Sequence, residues 1–474
     1  MNKKQIFVTV LIALYFGWFL SFPYFGKAFK NVSESLAVDS GQLTLIFILF
    51  HALGFLIGGI FLKETTLWKG LILYSLPILL GLNLLLFFLP SELWVPVFAL
   101  IGLVSSPFIL GWSVVYSTFN TAEKIRLYAL GLAMAQAIVL FIAYLSSFLN
   151  PTVLLLLIML PLAVTLIYSI FNISELDDNL MPGKSLAFKH PTFLVIIFFI
   201  FTFLLHFACG LMFFVYEDSF TVMDSSPFAI NFFSYIPYLL ACLLIYYFSH
   251  TIKLRLLVFM AVSLFGLAFV YFAMFKNTAP GFYLNTSVNE IAVVSLSIFY
   301  WVMQGNLALE YKMPYRFFGF GFFTTLFGVF AGGALGTYLL SSADFSRITA
   351  ALYAITAIFI TLLAIPWLLD KIGGNLLGVM EKDDLSPPLD PLAELAAIYK
   401  TAGLTEREID IADQLYQGHA NRVIAKNLFI TENTLKTHLQ KIYRKFNVRS
   451  KSELISRLAN RSFPNAPTHK QSKK

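Results

Sequence analysis

The sequence predicts an all-α protein in two parts. A twelve-helix polytopic membrane domain covers residues 1–369, and a four-helix domain covers residues 404–460. Two observations carry this. The chain is 58% hydrophobic and only 12% charged, where soluble domains carry about 25% charged residues. The charge is also uneven. Residues 391–474 hold 15 Lys and Arg against 7 Asp and Glu, which leaves 18 against 19 for residues 1–390. The net charge of +7 therefore belongs to the tail. A basic tail implies an anionic partner, nucleic acid or membrane lipid headgroups.

Apolar segments of spanning length lie at about 5–24, 43–62, 70–89, 95–117, 127–148, 152–172, 192–216, 227–248, 254–275, 286–308, 317–340 and 348–369. The first has no small-residue cleavage pattern after it, so it reads as a membrane helix and not as a signal peptide. The polar segment 173–190 splits the twelve into six plus six. Loop charges set the orientation. With the N-terminus inside, twelve Lys and Arg face the cytoplasm (Lys3, Lys4, Lys124 and Arg126 among them) against four outside. An even number of spans returns the C-terminus to the cytoplasm, beside the DNA of a prokaryote. The expected location is the cell membrane, multi-pass, with both termini cytoplasmic.

Residues 370–403 read as a cytoplasmic linker, with a Gly pair, a Pro pair and mixed charges. Residues 461–474 read as a disordered basic tail.

Between them, the four helices have legible starts. Thr405-Glu406-Arg407-Glu408 is a capping box, and Gly418 is a stop. A short helix follows at about 420–428, with Ala420 as a poor cap. Thr431 caps a helix at about 432–446, Asn447 ends it, and Ser450-Lys451-Ser452-Glu453 opens the last. In the third helix Leu435, Leu439, Ile442 and Phe446 form one apolar stripe. Asn433, Thr437, Gln440 and Arg444 recur on the opposite face, flanked by Lys436 and Lys441. Such side chains suit base edges and phosphates in a major groove. Two helices with a short turn and a polar second helix define a helix-turn-helix.

Residues 404–458 resemble the LuxR/FixJ-type DNA-binding domain. The resemblance rests on Leu404-Thr405-x-Arg407-Glu408, Gly418, Asn421, Ile424-Ala425, Leu428, Thr434-Leu435-Lys436-Thr437-His438, Ile442-Tyr443-x-Lys445 and Val448. Ala420, Leu435 and Asn447 stand where Ser or Thr, Val and Gly are usual. The resemblance implies a domain that binds DNA as a homodimer, its third helix in the major groove and its fourth aiding dimerisation. It implies base contacts from Lys436, Thr437 and Gln440, and phosphate contacts from Thr434, Arg444, Lys445 and Asn421. Asn433, Lys441 and Arg422 complete the expected DNA-binding set. The alternative is a small basic helical cap that binds lipid headgroups.

The twelve spans, two halves and cytoplasmic ends resemble the major facilitator superfamily in architecture. The loop after the second helix, 58-GGIFLKETTLWKG, has glycines but lacks that family's Asp. No Asp, Lys or Arg is expected well inside a span, and Glu290 is expected near the outer end of the tenth. That scarcity disfavours ion-coupled transport and leaves room for a ligand sensor. His206, Gln304, Asn306, Glu290, Gln136 and Trp112 are the candidate ligand contacts, from a wider set that includes Tyr116 and Trp301. The alternative for each is interhelical hydrogen bonding or an interfacial aromatic.

Cys209 and Cys242 form no CxxC motif, so no metal or cofactor is implied. No phosphate loop, HExxH or nucleophile–base set stands out, so no catalytic residues and no enzyme activity are expected. The function expected is a membrane-embedded one-component transcription regulator responding to an unknown small molecule. The alternative is a solute transporter with a regulatory cytoplasmic tail.

Overall fold

Long apolar helices form the first unit of the computed structural model, Met1–Gly378, and short amphipathic ones form the second, Val379–Lys474. The structure describes residues 1–24, 26–177, 180, 192–220, 227–274, 278–342, 347–372, 398–399, 402–416 and 418–459. The linker (apart from a few residues near its end), most of the 173–190 loop and the 461–474 tail lie outside the described residues.

The first unit runs α1 (Lys3–Ser21), α2 (Lys27–Ser35), α3 (Ser40–Phe61), α4 (Trp68–Leu85), α5 (Trp94–Ser117), α6 (Thr121–Leu145) and α7 (Pro151–Asn172). It continues with α8 (Thr192–Phe220), α9 (Pro227–Tyr247), α10 (Leu254–Met274), α11 (Ala279–Tyr311), α12 (Pro314–Ser341) and α13 (Arg347–Ile372). Among the described residues ten helices are long and apolar enough to cross a membrane.

Their starts follow from local chemistry. Asn2 and Asn120 close capping boxes with Gln5 and Glu123, and Asn150 caps α7 with Pro151 at its first position. Buried Trp18 donates its indole N–H to Asn83 Oδ1 at 3.3 Å, tying α1 to α4. Gly59 and Gly319 bring α3 and α12 into backbone contact. A Cβ on Gly319 would stand 2.5 Å from Gly59 Cα. Gly58 and Gly59 are thus packing residues, while Gly70 has only the Tyr74 ring nearby.

Three expectations change. The connection at 26–42 contains α2, whose Ala28, Phe29 and Val32 are buried. Next, α11 begins at Ala279, several residues before the apolar run. Pro280 fits its first turn and Thr278 caps it, accepting from Gly281 N at 3.3 Å. Glu290 therefore sits about three turns into the helix, not at its end. Finally, Lys124 belongs to α6 and is 0% exposed, so a basic residue is buried in a spanning helix.

The second unit contains α14 (Glu406–Tyr416), α15 (Asn421–Asn427), α16 (Glu432–Phe446) and α17 (Lys451–Ala459). Its core joins Ile411 and Leu415 of α14, Ile424 of α15, the α16 stripe, and Leu454 and Leu458 of α17. Tyr399, ahead of α14, is also in that core and donates its hydroxyl to Asp413 at 2.7 Å.

Candidate nucleic-acid interface and membrane-unit residues

The two faces of α16 separate as its periodicity predicts. Thr431 accepts from Thr434 N at 3.2 Å and starts the helix. Asn447 ends it in the left-handed region at φ 50°. Leu435, Leu439, Ile442 and Phe446 are all buried, each contributing about 1.5–3 kcal/mol of transfer free energy. Burying that stripe fixes the rotation of the helix, so its other side must face out. Asn433, Thr434, Lys436, Thr437, Gln440, Lys441 and Arg444 are exposed. Asn421 and Arg422, at the start of α15, are exposed too.

Two hydroxyls on this surface have local partners. Thr437 donates to Asn433 O at 3.2 Å, and Thr434 Oγ1 lies 2.9 Å from Thr431 Oγ1. Each retains acceptor capacity for a further donor.

Lys445 differs from the rest of the set. Its ammonium lies 2.6 Å from Glu408 Oε2 and donates to Gly403 O at 2.8 Å. It is half-buried and committed within the domain. Glu408 also accepts from Thr405 N at 2.8 Å, which completes the capping box. Burial alone raises the Glu408 carboxyl pKa. The hydrogen bonds from Lys445 and Thr405 outweigh burial and hold it below the ordinary carboxylate range.

The adjacent Arg407 donates to Leu428 O, where α15 ends. Two neighbouring residues of α14 thus hold the turn and α16 separately. Neither partner is foreseeable from spacing, though both residues belong to the motif that carries the resemblance. At the turn itself, Phe429 adopts φ 54° with its side chain 96% exposed.

In the membrane unit the structure brings some predicted residues together. Trp112 of α5 stacks on Trp301 of α11 at 4.7 Å and 5°. Asn306 accepts from Lys124 Nζ at 2.8 Å. The His206 ring of α8 lies 5.5 Å from that of Tyr300, one turn from Gln304. His206 Nδ1 is 2.8 Å from Thr202 O. Gln136 is buried in α6 and Glu290 is partly buried in α11. Lys124 is the residue that sequence reading missed. Its signal was the Asn120-x-x-Glu123 capping box, which starts the helix ahead of it.

Residues 402–458 match the GerE family, described as bacterial regulatory proteins, luxR family. The CsgBAC operon transcriptional regulatory protein of Escherichia coli K12 is 42% identical over 57 residues, 12% of this chain and 26% of that protein. The nitrate/nitrite response regulator protein NarP of the same organism is 50% identical over 48 residues, 10% of this chain and 22% of that one. The chain thus spans about a quarter of the length of these two relatives. The membrane unit is similar to solved transporters. A bacterial homologue of the iron transporter ferroportin, in an outward-facing state, matches at TM-score 0.59 and 14% identity, over 77% of this chain and 98% of that one. The major facilitator superfamily transporter FucP, in the outward conformation, matches at TM-score 0.54 and 10% identity, over 77% and 99%. At such identity the likeness is one of fold. The chain therefore joins a LuxR-type helix-turn-helix domain at residues 402–458 to a membrane unit with the fold of major facilitator transporters.

Proposed function

We propose that this chain is a membrane-embedded one-component transcription regulator. The carrying observation is the exposed polar face of α16, held by a buried stripe within a LuxR-type domain, on the same chain as a multi-pass membrane unit. In this reading Lys436, Thr437 and Gln440 meet base edges. Arg444, Thr434, Asn433, Lys441, Asn421 and Arg422 meet phosphates or flank the bases. Lys445 positions α16 from within. The domain binds as a homodimer.

The membrane unit has twelve spans, with the shorter apolar helices Tyr235–Tyr247 and Ile348–Leu363 belonging to the eighth and the twelfth. Both termini are cytoplasmic in a prokaryotic cell membrane. A small molecule binds among His206, Gln304, Asn306, Glu290, Gln136 and Trp112 and shifts the balance of conformations. It must bind the two states unequally, or nothing is transmitted. Chromatin capture of the full-length protein, followed by reporter measurements from the captured promoter with candidate solutes, tests this. No enriched promoter removes the DNA-binding reading. An enriched promoter indifferent to every solute removes the sensing.

The transporter folds matched by the membrane unit favour one second reading, a solute carrier with a regulatory tail. Uptake by the reconstituted protein, undiminished after removal of residues 391–474, supports it.

A further inference from the structure

The seam between α5, α6 and α11 gathers buried donors without matching acceptors. Lys124, in the first turn of α6, is 0% exposed. Its ammonium donates to the neutral Asn306 Oδ1 at 2.8 Å. Among the described residues no carboxylate pairs with it. Its neighbour Glu123 caps α6 through Asn120 N at 3.0 Å and accepts from Gln5 Nε2 at 2.9 Å. The start of α6 adds the positive end of its helix dipole. One amide acceptor does not offset the desolvation of an ammonium.

On α11, between Gln304 and Asn306, Gly305 lies against the lysine: a Cβ there would stand 3.1 Å from Lys124 Cε. Gln304 is 0% exposed, and neither Nε2 nor Oε1 has a hydrogen-bond partner. The buried Trp112 indole N–H is also unpartnered. The ammonium, the Gln304 amide and the Trp112 indole N–H thus lie on helices packed along one seam, and the nearby Glu123 carboxylate is committed to the α6 cap.

We propose that this seam binds the anionic group, carboxylate or phosphate, of a small molecule. Lys124 supplies the opposite charge, and the Gln304 and Trp112 N–H groups supply hydrogen bonds. The proposal rests on the sensing function above and names its ligand class. Lys124 and Trp112 come from the helices before α8, and Gln304 and Asn306 from those after it. An anion that replaces Asn306 as the lysine's partner therefore changes how the two halves are joined. Trp301 lies in the same seam, stacked on Trp112 at 4.7 Å and on Tyr128 at 4.9 Å, and its fluorescence reports the change.

The test uses the full-length protein in detergent. Tryptophan emission and melting temperature are followed with sodium acetate, sodium benzoate and inorganic phosphate. Sodium chloride at equal ionic strength, acetamide and benzamide are the controls. A saturable shift with one class of anion and none with the amides is expected, and the carboxylate and phosphate arms identify the class. Lys124→Met weakens the response about tenfold or more, and Lys124→Arg retains it. Asn306→Asp places a carboxylate on Lys124, which holds the fold while removing the anion response. Equal shifts with the amides, no shift with any anion, or an unchanged response in Asn306→Asp overturns the proposal. A promoter reporter that still answers its solute in Lys124→Met cells removes the anion site and leaves sensing standing. A reporter that answers no solute in wild-type cells removes the sensing itself.

Discussion

Lys445 of α16 and Glu408 of α14 meet at 2.6 Å, with Glu408 almost fully buried. This pair sets the angle of α16 against the rest of the tail. Lys445→Ala leaves the Glu408 carboxylate without its charged donor. The tail fragment 379–474 should lose about 1–3 kcal/mol in denaturant unfolding. Its DNA affinity should keep the same dependence on salt. A flatter salt slope would show Lys445 to be a phosphate contact.

Gln440 and Arg444 are exposed on the same helix, five positions and one position before that lysine, and should behave differently. Gln440→Ala should cost about 1–3 kcal/mol of discrimination at one base pair. Arg444→Ala should weaken binding to all sequences and lower the salt slope by about 1. Gel shifts on an operator and on random DNA at several salt concentrations separate the two effects.

The Glu408 carboxyl is held below its ordinary range in the folded tail. Its contribution is therefore present above the unfolded-state pKa. It is lost as pH falls through the lower, folded value. The denaturant midpoint of the tail should drop over that acidic interval. Glu408→Gln should flatten the profile there, and a Gln variant with the wild-type pH dependence would refute the assignment.

Phe429 bends the chain at φ 54° while its ring packs against nothing in the domain, being 96% exposed. A left-handed conformation costs a residue with Cβ about 1–2 kcal/mol, and Asn tolerates it better. Phe429→Asn should raise the stability of the tail by about 1 kcal/mol. A lower melting temperature would show that the ring has a partner within the domain.

Gly319 touches the Gly59 backbone, whereas Gly81 has no atom near an added Cβ. Gly319→Leu should destabilise the membrane unit by about 1–3 kcal/mol or more. Gly81→Ala should be nearly silent. Detergent melting curves of the two variants compare them directly.

What the sequence revealed follows from which interactions are local. The α16 faces, the Thr431 cap and the Asn447 stop depend on residues within a few positions, and each is where periodicity and capping chemistry place it. The Arg407 bond to Leu428 O and the Lys445 bond to Glu408 span 21 and 37 residues and carry no periodic signal. In the membrane unit apolar runs marked the helices. They gave no sign of which polar residues meet, because Trp112 and Trp301 come together only through the fold. Lys124 was readable as a loop charge and turned out to be interior, since the Asn120–Glu123 capping box starts α6 at Thr121, ahead of the apolar run that begins near residue 127.

Tyr399 gives the tail an anchor ahead of its first long helix. Its ring is 1% exposed and its hydroxyl holds Asp413. A tether joined at this point cannot swing freely into α14. Tension on the upstream chain is resisted first by a buried ring, and then, through Gly403 and Lys445, at the base of α16. The entrance to the domain is thus a fixed mooring, and chain cut downstream of it would leave a hole in the core it was meant to liberate.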